Sequence, residues 1–277
     1  MILKLILILL NLPVISQDKF IGSVERLSAE ILPSLQELID FLNSDYKMRM
    51  PEDVGAYQYP GGKDYYNYMI EYHTNSGLTA KEIHEIGLRR VEELYKEMAQ
   101  IRGKLGFEKG QSAFHKKIMN DSYFIAKEPA DVEKRYMDYM EKIEPHISTL
   151  FTSNPKAPYG VKRLDQALEG AMTFGYYQVS TPDNEIGQYR YNGSDLKNRP
   201  MLWSGPLIYH ELAPGHHFQI NLNMENESIH KIRKDMRLYN ASITEGWGNY
   251  SAFLAEEIGM LDDPLDQYGW AEFQIFF

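Results

Sequence analysis

Four residues after His210, where a helical zinc-site pattern would place its second histidine, the chain carries Pro214, followed by Gly215, His216 and His217. In the common pattern H-E-x-x-H, two imidazoles lie one helical turn apart and the glutamate beside the first acts as general base. A straight helix through His210 would put His216 and His217 roughly 9 and 10.5 Å further along its axis, too far for two bonds of about 2 Å to one ion. A metal reading therefore requires a break or bulge at Pro214-Gly215. Those residue types supply one, because proline removes a helix hydrogen bond and glycine tolerates unusual dihedrals.

With that break, His210 and His216 become the two imidazole ligands, and His217 lies beside them or faces a substrate. Spacing alone does not separate His216 from His217. Downstream, residues 243–259 read as an amphipathic helix, with Trp247, Tyr250, Phe253 and Leu254 at helical spacing. Packed beside the first helix, it would point Glu245 inward as third ligand. Glu211 is then the spare carboxylate, which completes the set that a hydrolytic zinc site needs. The competing reading is that the histidines are merely packed, which predicts no effect of zinc on thermal stability. His84-Glu85 has no further histidine at useful spacing and is expected on a surface, as is the face bearing Glu256 and Glu257.

The run His210-Glu211-x-x-Pro214-Gly215-His216-His217-x-Gln219, with Glu245-Gly246-Trp247 following, resembles the family called domain of unknown function 885, whose members are predicted zinc metallopeptidases. Shorter matches occur in family order at Pro60-Gly61-Gly62-Lys63-Asp64-Tyr65-Tyr66, Thr79-Ala80-Lys81-Glu82-Ile83-His84-Glu85-Ile86-Gly87, Gly175-Tyr176-Tyr177, Tyr189-x-Tyr191-Asn192 and Asp262-Asp263-Pro264. The resemblance runs from about residue 28 to the C-terminus. It implies a mainly α, gluzincin-like helical metallopeptidase fold, zinc held by His210, His216 and Glu245, and Glu211 as base. Family members are usually longer at both ends, and a later family segment with an Asp-Thr-Gly-Ile-His-like run does not occur before Phe277. The expectation is a partial metallopeptidase-like domain over residues 17–277. The alternative is a truncated, non-catalytic zinc-binding or interaction protein.

At 277 residues and 43% hydrophobic content the chain can bury a sizeable core. A net charge of −10 argues against a nucleic-acid partner, which calls for a basic footprint. Lys4 before the apolar run 5–10, with Val14-Ile15-Ser16 ahead of Gln17, reads as a signal peptide over residues 1–16, too short for a stable membrane span. A secreted or extracytoplasmic chain follows as the expectation. Asn-x-Ser sequons at Asn120, Asn192, Asn226, Asn240 and Asn249 suit it, although Asn249 falls inside the proposed site helix and is expected unmodified. The absence of cysteine excludes disulfides and thiolate ligands.

Ahead of the site, the pattern predicts a helix over 24–42 interrupted at Pro33 and a loop over 50–63. A capping box at Thr79 and Glu82 opens a helix carrying Ile83, Ile86, Val91, Leu94, Met98 and Ile101. A further helix is expected over 130–151, kinked or broken at Pro145, and a linker over 154–160. Residues 171–191 favour strands around a turn at Pro182-Asp183-Asn184, predicting a small β-hairpin near the active site. An edge strand there could pair with an extended peptide substrate. Tyr191 or Tyr209 could offer a hydroxyl to a developing oxyanion, although packing is the commoner role in a chain with 20 tyrosines.

Overall fold

The computed structural model describes residues 17–52, 54–108, 110–235 and 240–276, and these are mainly helical with one three-stranded sheet. The expected signal peptide at residues 1–16 lies outside the described residues. The chain forms two compact units, Met1–Met69 and Ile70–Phe277.

In the first unit, helix α1 (Gln17–Phe41) runs through Pro33 without the expected interruption. Proline deletes one N–H, but the exposed carbonyls of that turn can be solvated, and the Ser34 hydroxyl donates to Glu30 O at 3.2 Å. The predicted loop contains a short 3-10 turn, Ala56–Gln58, and ends as helix α2 (Gly62–Thr74) starts. Gly62 is required there, since a Cβ would lie 1.7 Å from Ala56 O.

The second unit opens with α3 (Ala80–Lys104), which carries the predicted capping box: Thr79 N donates to Glu82 Oε2 at 2.8 Å, and Glu82 N to Thr79 Oγ1 at 3.3 Å. Its later apolar residues Leu94, Met98 and Ile101 are buried with Phe114 of α4 (Gln111–Ile118) and Tyr268 of the last helix, whereas Ile86 is exposed. Helix α5 (Pro129–Ile143) buries Val132, Tyr136, Met140 and Ile143 at helical spacing. Pro145 then breaks the expected longer helix into a 3-10 turn and the single turn Ile147–Leu150.

The predicted hairpin forms from β2 (Gly175–Gln178) and β3 (Gly187–Tyr191), antiparallel, with Tyr177 opposite Tyr189. Thr181 and Asn184 exchange backbone hydrogen bonds of 2.8 and 3.0 Å across the turn. The expected linker is corrected, because Tyr159 opens a third strand, β1 (Tyr159–Arg163), parallel to β3 in the order β1-β3-β2. Just before it, the Glu225 carboxylate accepts from the amides of Lys156 and Ala157 at 2.8 to 3.0 Å. Segment 154–160 therefore belongs inside the second unit.

All eight residues of α6 (Ser204–Glu211) are buried, the polar Ser204, His210 and Glu211 among them. It packs against α5, α8 (Ala241–Glu257) and α9 (Pro264–Phe276), while α7 (His216–Glu225) packs on α8. The main core joins Met140, Tyr189, Ile208, Leu212, Ala252, Trp270 and Phe273 from these elements. Among the described residues, no helix is long and apolar enough to cross a membrane.

Candidate metal centre

Helix α6 stops at Glu211 and α7 starts at His216, so the break that the sequence demanded falls at 212–215. The Ala213–Pro214 peptide is cis. Only glycine fits at 215, where a Cβ would lie 1.8 Å from His210 O. Helix α8 holds the break, because the Pro214 carbonyl accepts from Trp247 Nε1 at 2.9 Å and from Ser251 Oγ at 3.1 Å. The same helix, two residues before Trp247, presents Glu245.

Across the break the His210 and His216 rings lie 4.6 Å apart between centroids, nearly perpendicular. Their Nε2 atoms lie 3.3 and 3.5 Å from one oxygen, Glu245 Oε2. Tetrahedral zinc with bonds of about 2.0–2.2 Å separates its ligand atoms by about 3.3–3.5 Å, so the spacing suits such an ion. Donor chemistry agrees: two imidazoles and a carboxylate, all within 4.8 Å of one another, form a group that could hold a metal ion. The two histidines lower the Glu245 pKa well below the usual carboxylate range by hydrogen bonding, against the cost of its partial burial. With 51% of its side chain exposed, Glu245 leaves the group accessible from solvent, while the histidines are buried.

Two residues of α8 set the His210 ring. Asn249 Oδ1 lies 3.1 Å from Nδ1, which leaves Nε2 for the ligand position. Gly248 makes room, since a Cβ there would lie 2.6 to 2.8 Å from ring atoms of His210. In the sequence, Asn249 stands out only as a sequon within the site helix. Its position one helical turn after Glu245 places both on one helix face, and that spacing was the available signal. Outer-shell partners of ligating histidines are typically worth 10- to 100-fold in affinity. If the group holds a metal, Asn249→Ala should therefore weaken its binding by about 10- to 100-fold, read with zinc as the probe in a chelator competition, and unchanged affinity would remove Asn249 from the site.

Glu211, one residue after His210, is buried, and its Oε2 has no hydrogen-bond partner among the described residues. Burial raises its pKa to about 7, with the His210 charge opposing and the Glu245 charge adding to the shift. An unpaired buried carboxylate oxygen is costly to maintain, which makes it an acceptor available to an incoming donor.

His217 serves elsewhere. Its Nε2 donates to Ala157 O at 3.1 Å, and Nδ1 lies 2.9 Å from the Tyr177 hydroxyl and 3.1 Å from Asn221 Nδ2. Burial lowers its pKa to about 4, so the ring is neutral near pH 7 and fastens α7 to the sheet. Tyr191 and Tyr209 are also packing residues: the Tyr191 hydroxyl donates to Pro129 O at 2.8 Å and that of Tyr209 to Tyr139 O at 3.3 Å. Those bonds take the hydroxyl protons that an oxyanion would have needed. His84 and Glu85 are exposed on α3, with Glu85 paired to Lys81. Asn192, one of the sequons, is buried and donates to Glu169 O and Met172 O.

Fold and site together define a mainly helical protein in which two short helices and a third beside them assemble a His-His-Glu group able to hold a metal ion. The chain belongs to the family described as bacterial protein of unknown function (DUF885), which matches residues 11–277. Among solved structures it is similar in fold to a candidate lipoprotein from Colwellia psychrerythraea, with a TM-score of 0.86 and 24% identity over 96% of this chain. The chain spans 46% of that protein's length. No curated protein matches it.

Proposed function

We propose that the chain is a gluzincin-like, zinc-dependent hydrolase that cleaves peptide bonds outside the cytoplasm. The observation that carries this reading is the convergence of His210 Nε2 and His216 Nε2 on one Glu245 oxygen, with the unpaired Glu211 carboxylate one residue from the first ligand. Zinc, when bound, would supply Lewis acidity that polarises a carbonyl and makes water more acidic. Glu211 takes a proton from the attacking water and returns it to the leaving amine nitrogen. Asn249 keeps the His210 ring in register, and the half-exposed Glu245 side leaves a route for substrate. An extended peptide would pair with the outer edge of β2, on which no strand lies among the described residues.

The test is digestion of a mixed peptide library by the zinc-loaded chain and by the chelator-treated chain, read by mass spectrometry. Cleavage restricted to the loaded sample is the expected result. Stoichiometric zinc without any cleavage would instead leave the non-catalytic metal-binding reading standing.

A further inference from the structure

A cavity of about 470 Å³ lies on the α5 side of α6. Phe174 and Trp203 form one wall, with ring centroids 5.3 Å apart, and Tyr136 and Leu207 line it as well. The volume is typical of small-ligand pockets, which run to roughly 300–1,000 Å³. Three charged side chains reach this largely apolar space. Two are acids with donors of their own: Glu272 Oε2 accepts from the Trp203 indole N–H at 2.9 Å, and the Asp195 carboxylate accepts from Asn198 Nδ2 at 2.9 and 3.1 Å. The third is Arg199, whose guanidinium donates to the neutral Thr173 carbonyl and forms no ion pair among the described residues. A planar guanidinium with donors to spare matches a carboxylate.

The cavity is continuous with the helix that bears the proposed base. Leu207 and Glu211 stand four residues apart on α6, hence on one face and about 6 Å apart along the axis. Tyr136 of the cavity wall lies close enough to feel the charges of both Glu211 and Arg199. Burial raises its hydroxyl pKa, the Glu211 charge adds to the rise, and the Arg199 charge opposes it.

We propose that this cavity binds an apolar group ending in a free carboxylate, held by Arg199. Resting on the hydrolase reading above, the occupant is the C-terminal residue of the peptide substrate: its side chain lies against Phe174 and Trp203, and the bond to be cut lies toward Glu211.

Calorimetric titration with N-acetylphenylalanine and with N-acetylphenylalaninamide tests the carboxylate on the full chain, with zinc and after chelation. A charged hydrogen-bonded pair predicts that the acid binds about tenfold or more tightly than the amide. The preference should persist in the chelated chain and in His210→Ala, which excludes binding to the metal, and should vanish in Arg199→Met. No binding of the acid, or equal binding of the amide by the unaltered chain, overturns the proposal whether or not any variant folds. The substrate assignment is read separately, from cleavage of one peptide with a free or an amidated C-terminus by the zinc-loaded chain. Preference for the free terminus, lost in Arg199→Met, supports it, and indifference to the terminus overturns it. Acid binding with no peptide cleaved would keep the carboxylate cavity and reject the hydrolase reading.

Discussion

On the zinc reading, His210→Ala should take the zinc content of the purified chain from about one ion per molecule to almost none, because the group that could hold the ion has three side chains among the described residues and the missing ring is its most buried member. His210 Nε2 is one of two nitrogens that converge on the Glu245 oxygen, at 3.3 and 3.5 Å, so its loss leaves His216 and a half-exposed carboxylate. Two ligands hold zinc far more weakly than three. The thermodynamic counterpart is a melting temperature that rises with zinc in the unaltered chain. With free zinc at 100 times the dissociation constant, binding stabilises the fold by about 2.7 kcal/mol, or roughly 5–10 °C for a domain of this size. The variant should show no such rise. Equal zinc content in both proteins, measured by elemental analysis, would reject the ligand assignment, and a melting temperature indifferent to zinc would favour histidines that are merely packed.

On the proposed hydrolase reading, Glu211→Gln should have the opposite profile, keeping zinc and losing hydrolysis. The side chain is not one of the three grouped ligands, and glutamine has nearly the same shape. What disappears is a proton acceptor, and general-base catalysis contributes typically 10²–10⁴-fold. A neutral amide also carries no charge to desolvate in this buried position, so the fold should tolerate it. The comparison is made on the peptides that the library identifies, with zinc content measured on the same samples. A variant that retains zinc and hydrolyses at the original rate would disprove the mechanism, whereas one that loses zinc would move Glu211 into the ligand set.

Much of this was legible in the sequence because the decisive signals are local. The Thr79-Glu82 capping box, the turn at Pro182-Asp183-Asn184 and the apolar spacing of α5 each rest on contacts within a few residues, and all three appear in the structure. Pro33 is the local signal that misled, since a single missing N–H on an exposed helix is a cost that the rest of the helix outweighs. Strand β1 looks like linker in the sequence because its reason to exist is remote: it pairs with β3, whose residues lie 28 positions further along, as Tyr159 opposite Gly187 shows.

The site divides in the same way. Residue types and spacing alone determined that one straight helix could not carry both histidines and that Pro214-Gly215 must break it, since proline and glycine act through the backbone of neighbouring residues, whereas Glu245 was an expectation that only the packing of α8 brought to the histidines. Only the tertiary structure decided between His216 and His217. One imidazole converges on Glu245, while the other is taken up by Ala157, Tyr177 and Asn221, three residues from two other segments and from its own helix. Tertiary structure likewise assigned Asn249 and Gly248 to the His210 ring and gave the Tyr191 and Tyr209 hydroxyls to backbone carbonyls. Adjacent residues of one helix point about 100° apart, so the neighbour that each one meets is set by what packs around the helix and not by the order of residues along it.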